Sequence, residues 1–170
     1  YLEDQDRPFP VVYISFPAAK DPSWNARYPD RSTIDVITLL PYEIFVQWEG
    51  TQWMHRGAQY EALKEQIAQR LLTHLFAQLP HLKDHMDHCE LSTPLTTKNF
   101  VNYQKGELYG IDHSPSRYRQ KFLQPRTPIK GLYLTGQDIV TAGVGGALFS
   151  GLITASSMTG KNYMKRVMGN

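Results

Sequence analysis

Apolar residues recur every three or four positions after Ala58: Tyr60, Leu63, Ile67, Leu71 and Leu75, with Ala68, Leu72 and Phe76 beside them. That period is helical, and it predicts an amphipathic helix over residues 58–79 that Pro80 stops. Glu61, Lys64, Glu65 and Arg70 fall on the opposite, solvated face. Ahead of this helix the pattern is that of strands. Pro10–Phe16, Ser32–Leu40 and Glu43–Trp48 are rich in β-branched and aromatic residues, with Pro17 and Pro41 as stops. Three strands in so short a stretch predict a sheet that is at least partly antiparallel. Asp21–Asp30 carries turn formers and reads as a loop. Beyond the helix, Glu90–Thr97 is rich in threonine around Pro94 and is expected to be extended. Gly106–Gly110 is expected to form a bulged strand or a close backbone approach.

Near the C-terminus the pattern changes character. Leu132–Leu134 reads as a short buried strand, Gly136-Gln137-Asp138 as a tight turn carrying a polar pair, and the residues after Ala142 as a helix that opens on glycines. Glycines at 143, 145, 146 and 151 remove side chains where a backbone approaches something large and flat, or where a helix lies close to a neighbour. The start of a helix adds unpaired amides and the positive end of a dipole, which favour partial negative charge. Together these make a cofactor cradle. Close helix packing is the alternative, and Gly151 with Ala155 suits it in any case.

The run Leu132-Tyr133-Leu134-Thr135-Gly136-Gln137-Asp138-Ile139 and the glycines that follow resemble the C-terminal flavin-binding signature of the phytoene desaturase and carotenoid isomerase family of FAD-dependent oxidoreductases. Tyr103-Gln104-Lys105-Gly106-Glu107 and Tyr109-Gly110-Ile111-Asp112-His113 upstream are similar to the retinol-saturating branch of that family. The resemblance implies an α/β fold with an α+β substrate part, the C-terminal fragment of a two-domain, Rossmann-like flavoprotein. Residues 5–98 would then belong to the substrate domain and residues 99–170 to the FAD domain. It implies FAD as cofactor, held by Gly136, Gln137, Asp138, Gly143, Val144, Gly145, Gly146 and Ala147, and no catalytic side chain, since the flavin carries the hydride. In many relatives an acidic residue directly after the glycine bonds the ribityl chain. Here Gln137 stands in that place and Asp138 follows, so either one could hold a hydroxyl. The implied substrate is a lipophilic conjugated polyene, a retinoid or a carotenoid, with hydrogen added across one C=C bond. Desaturation, cis-trans isomerisation, amine oxidation and a non-enzymatic binding module are the alternatives.

The 170 residues contain no Gly-x-Gly-x-x-Gly turn for the ADP half of FAD and begin at Tyr1 rather than Met, so the chain is expected to be part of a longer protein. Net charge is +2 with both signs interspersed, which leaves no nucleic-acid footprint. The single cysteine, Cys89, excludes an internal disulfide framework and fits an intracellular compartment. No apolar run is long enough to span a bilayer.

Arg117, Arg119, Lys121 and Arg126 make 114–128 a basic connecting loop, either solvated or in peripheral contact with an anionic membrane. His81, His85, His88 and Cys89 could supply metal ligands, but they match no recognised ligand spacing; a polar turn and no metal site are expected. Phe100 and Tyr103 are candidates for contact with ring or substrate, against core packing. His113 is a candidate proton carrier, or a loop residue.

Overall fold

In the computed structural model, which describes residues 8–169, β1 (Val12–Ser15) runs antiparallel to β2 (Asp35–Thr38), with Val12 opposite Thr38 and Tyr13 opposite Ile37. Alternation along the strands turns Val12 and Val36 onto the core and leaves Tyr13 and Ile37 exposed. Two short helices lie between the strands, α1 (Pro17–Lys20) and α2 (Trp24–Arg27), the second inside the expected loop. Asp21 organises this stretch. Its carboxylate accepts the Ser23 amide and hydroxyl and pairs with Arg27, and the Ser23 bonds hold its pKa below the ordinary carboxylate value.

Residues Tyr42–Trp48 form a 3-10 helix, which corrects the strand expected at Glu43–Trp48. Three residues per turn place Phe45 and Trp48 on one face, and both are buried. A strand would have sent those two to opposite sides of a sheet. The sheet therefore has two strands rather than three.

Helix α3 (Ala58–Gln78) follows the predicted period, turning Tyr60, Ile67, Leu71 and Leu75 inward. It starts after Gly57, whose φ of +88° only glycine adopts without strain, and ends ahead of Pro80. Phe9, Phe45, Trp48, Tyr60, Ile67, Leu71 and Leu95 form the core, with Val12, Val36, Leu63 and Leu91 packed around it. Pro80–His85 is a second 3-10 helix.

The segment expected to be extended around Pro94 instead opens α4 (Pro94–Val101). Residues 90–93 stay outside the helix, and Thr93, the residue before the proline, is extended, with ψ 171°. Pro94 then occupies the first helical position, where its fixed φ suits a helix and its missing N–H costs nothing. Thr96 Oγ1 accepts the Thr93 amide at 3.2 Å, and the Thr93 hydroxyl meets the buried Tyr60 hydroxyl at 2.6 Å.

The chain divides into two compact units, Tyr1–Gly106 and Glu107–Asn170. Residue 99, where the FAD domain was expected to begin, lies inside α4. The other expected limits, residues 5 and 170, lie outside the described residues. The second unit contains α5 (Pro115–Tyr118), α6 (Gly143–Thr159) and α7 (Tyr163–Met168). Leu132–Leu134, expected as a strand, makes only an isolated antiparallel bridge between Tyr133 and Arg126. Leu134 donates to the Pro125 carbonyl at 2.9 Å, but Pro125 and Pro128 have no N–H with which to extend a ladder. Gly106–Gly110 forms no strand; it makes the close backbone approach instead, since a Cβ on Gly106 would come within 2.2 Å of the Pro94 carbonyl oxygen. The fold is mixed, with one small sheet; no parallel sheet occurs among the described residues.

Candidate functional site

Helix α6 lies along the segment before the glycine turn and is fixed to it by polar groups. Thr154 donates to the Leu134 carbonyl at 2.9 Å, Ser150 sits 3.4 Å from the Thr135 hydroxyl, and Arg126 reaches the Ser157 carbonyl at 2.9 Å. Gly146, Ser150 and Thr154, four apart, are the buried stripe. A Cβ on Gly146 would come within 1.8 Å of the Thr141 carbonyl oxygen, so this glycine serves close packing. The opposite face is apolar yet open: Val144 is 87 % exposed and Leu148 67 %.

The other glycines of the motif behave differently. Gly136 and Gly143 have φ of +100° and +88°, and a Cβ on either would meet nothing within 4 Å. Gly145 also borders open space, with an ordinary φ. These three border space that no described residue fills within 4 Å of the missing Cβ. Val144 is fully outside, and Ala147 is half-buried in the same turn of α6.

The polar pair divides its work. Gln137 Oε1 accepts the Gly143 amide at 3.1 Å and so caps α6, which has no capping side chain of its own at Ala142. Asp138 Oδ1 accepts the Ile111 amide at 3.0 Å, and a Cβ on Gly110 would crowd that carboxylate at 2.4 Å. Gly110 keeps the turn of residues 110–111 against Asp138. The amides of Val144 and Gly145, in the first turn of α6, have no intrahelical carbonyl within reach.

Arg117 was expected among the cations of a basic loop. It is instead 5 % exposed, the one charged residue buried among those described. Its guanidinium donates to the Gln137 carbonyl at 3.0 Å and to the Ile111 carbonyl at 3.5 Å, and it stacks 5.2 Å from the Tyr118 ring centroid. The signal for this was Pro115 after Ser114, which starts a helical turn inside the loop. With Arg126 held by Ser157, two of the loop's four cations are turned to internal partners.

Phe100 meets Trp53 edge-on at 5.1 Å and remains exposed. His113 is exposed beside the Tyr118 ring. No group of three or more His, Cys, Asp or Glu side chains comes together as a metal site among the described residues. No helix among them is long and apolar enough to cross a membrane.

Similarity to known proteins gives the geometry its context. The chain is 32 % identical to the all-trans-retinol 13,14-reductase of Danio rerio over 94 % of its own length, and 35 % identical to that of Rattus norvegicus over 90 %. A Danio rerio protein named inactive all-trans-retinol 13,14-reductase is 35 % identical over 92 % of the chain. Nearly the whole chain is thus related to the all-trans-retinol 13,14-reductases, as a retinol saturase-like segment spanning 26–27 % of their length. No family model matches the chain, and no solved structure does.

Proposed function

We propose that this chain is the flavin-ring portion of a longer FAD-dependent oxidoreductase that reduces a C=C bond of a conjugated polyene, with retinol 13,14-saturation as the reaction. The observation that carries this reading is the glycine turn: Gly136, Gly143 and Gly145 border open space, beside an α6 start whose first amide is already capped. The match to retinol reductases over 90 % or more of the chain supplies the reaction.

FAD fits the residues present. The open glycines admit a flat ring, and the amides of Val144 and Gly145 suit an edge that gains negative charge. Asp138 would hold a ribityl hydroxyl: its Oδ1 is anchored on Ile111 and its second oxygen remains to accept. Gln137 would act through the helix it caps. When bound, the flavin supplies the hydride. This chain's residues orient the ring. The exposed Val144 and Leu148 support a segment whose α6 is covered by further polypeptide in the longer protein. A doubly wound FAD domain would be completed by that same polypeptide.

The match to the relative named inactive favours a second reading, in which the site is kept without reductase activity. One assay separates the two. The longer protein is given FAD, a reductant and all-trans-retinol, with lycopene and a poly-cis carotene in parallel. A retinol product two hydrogens heavier supports the proposal. Unchanged retinol with flavin bound favours the second reading, and desaturated or isomerised carotene moves the assignment to those reactions.

A further inference from the structure

Burying a guanidinium is expensive unless it is paired. The side chain of Arg117 has lost almost all contact with water, and no carboxylate forms an ion pair with it among the described residues. Its partners are backbone carbonyls from two separate turns, Ile111 and Gln137. The same two turns are joined a second time, through Asp138 on the Ile111 amide. Both polar groups of the Ile111 backbone are therefore engaged, one by an acid and one by a base. Gln137 continues the series, since its carbonyl takes Arg117 and its side chain takes the Gly143 amide. Asp138, Ile111, Arg117, Gln137 and Gly143 form one continuous run of contacts from the residue 110 turn to the start of α6.

We propose that Arg117 is a positioning residue of the cofactor turn: its fork ties Ile111 to Gln137 and thereby presents Asp138 to the ligand and Gln137 to α6. This rests on the flavin reading above. A lysine has one ammonium and cannot span two carbonyls in the way a planar fork does, so the geometry calls for arginine in particular. The Tyr118 ring lies beside the guanidinium, its centroid 5.2 Å from Cζ.

The test uses the longer protein carrying Arg117→Met, Arg117→Lys or Arg117→Ala, with FAD affinity measured by flavin fluorescence and the thermal midpoint of the flavin-free protein measured separately. Wild type must take up FAD. If it does not, the cofactor reading and this proposal fall together. Arg117→Met is expected to weaken FAD binding about tenfold or more, from the loss of charge-assisted hydrogen bonds. Arg117→Lys should fall between Arg117→Met and wild type, and guanidinium ion added to Arg117→Ala should restore part of the affinity. If wild type binds FAD and the folded variants bind it equally well, with only the thermal midpoint lowered, Arg117 is structural and the proposal is overturned.

Discussion

The side-chain carbonyl of Gln137 accepts the amide of Gly143 at 3.1 Å, so the turn and the helix that follows it are fastened to each other before any ligand arrives. Gln137 is thereby committed to α6, and on the proposed flavin reading Asp138 is the acceptor for a ligand hydroxyl. Gln137→Ala should cost about 1 kcal/mol through loss of a helix cap, read as a lower thermal midpoint and faster exchange of the Gly143 amide. Asp138→Ala should weaken FAD binding in the longer protein more than Gln137→Ala does. The reverse order would reassign the pair.

Gly145→Ala separates packing from binding. The position has ordinary φ and open space, so alanine should raise the stability of the ligand-free protein by up to about 1 kcal/mol. In the longer protein the same methyl group should lower FAD affinity. Gly146→Ala should behave oppositely on stability, losing roughly 1–3 kcal/mol because the new Cβ would collide with the Thr141 carbonyl. Paired thermal melts and flavin titrations on both variants check this.

Thr154→Val keeps the volume of the side chain and removes its hydroxyl. The Leu134 carbonyl would lose its donor at a partly buried contact, at a cost of roughly 1 kcal/mol. Urea denaturation should show a lower midpoint at unchanged slope.

The sequence made some of this legible and hid the rest for identifiable reasons. Helix α3 was readable because Tyr60, Ile67, Leu71 and Leu75 keep one period over about four turns, and its observed limits are Ala58–Gln78. Tyr42–Trp48 was misread because Ile44 and Val46 carry strand-like composition, while the spacing that matters, Phe45 to Trp48, is a single interval. Helix α4 was missed because the bias against helix before a proline reaches only Thr93 and not the residues after Pro94. At the site, the glycine turn and the start of α6 were visible as a motif. Arg117 was not, because a cation among Arg119, Lys121 and Arg126 reads as solvated until the fold brings two carbonyls to it.

Charge adds a pH signature away from the site. Lys98 beside Glu49 holds that carboxyl below its ordinary 4.5, and Glu49 holds Lys98 above its ordinary 10.5. Burial, followed by the Glu49 carboxylate, raises the pKa of the neighbouring Tyr42 hydroxyl. For Glu49 the stabilisation is full above 4.5 and is lost as pH falls through its lowered value; for Lys98 it is full below 10.5 and is lost as pH rises through its raised value. Glu49→Gln should therefore lower stability slightly near neutrality, with the difference from wild type closing at both acid and alkaline ends. Melting curves across pH check the shape; the pair is solvated, so the effect is small.

The central claim is that these residues form the flavin-ring part of a site completed by further polypeptide. Gel filtration after incubation with excess FAD, followed by the visible flavin spectrum, tests it on the 170-residue chain and the longer protein side by side. The account predicts a yellow longer protein carrying FAD and a colourless short chain. Tight FAD binding by the short chain alone, or none by the longer protein, would contradict it.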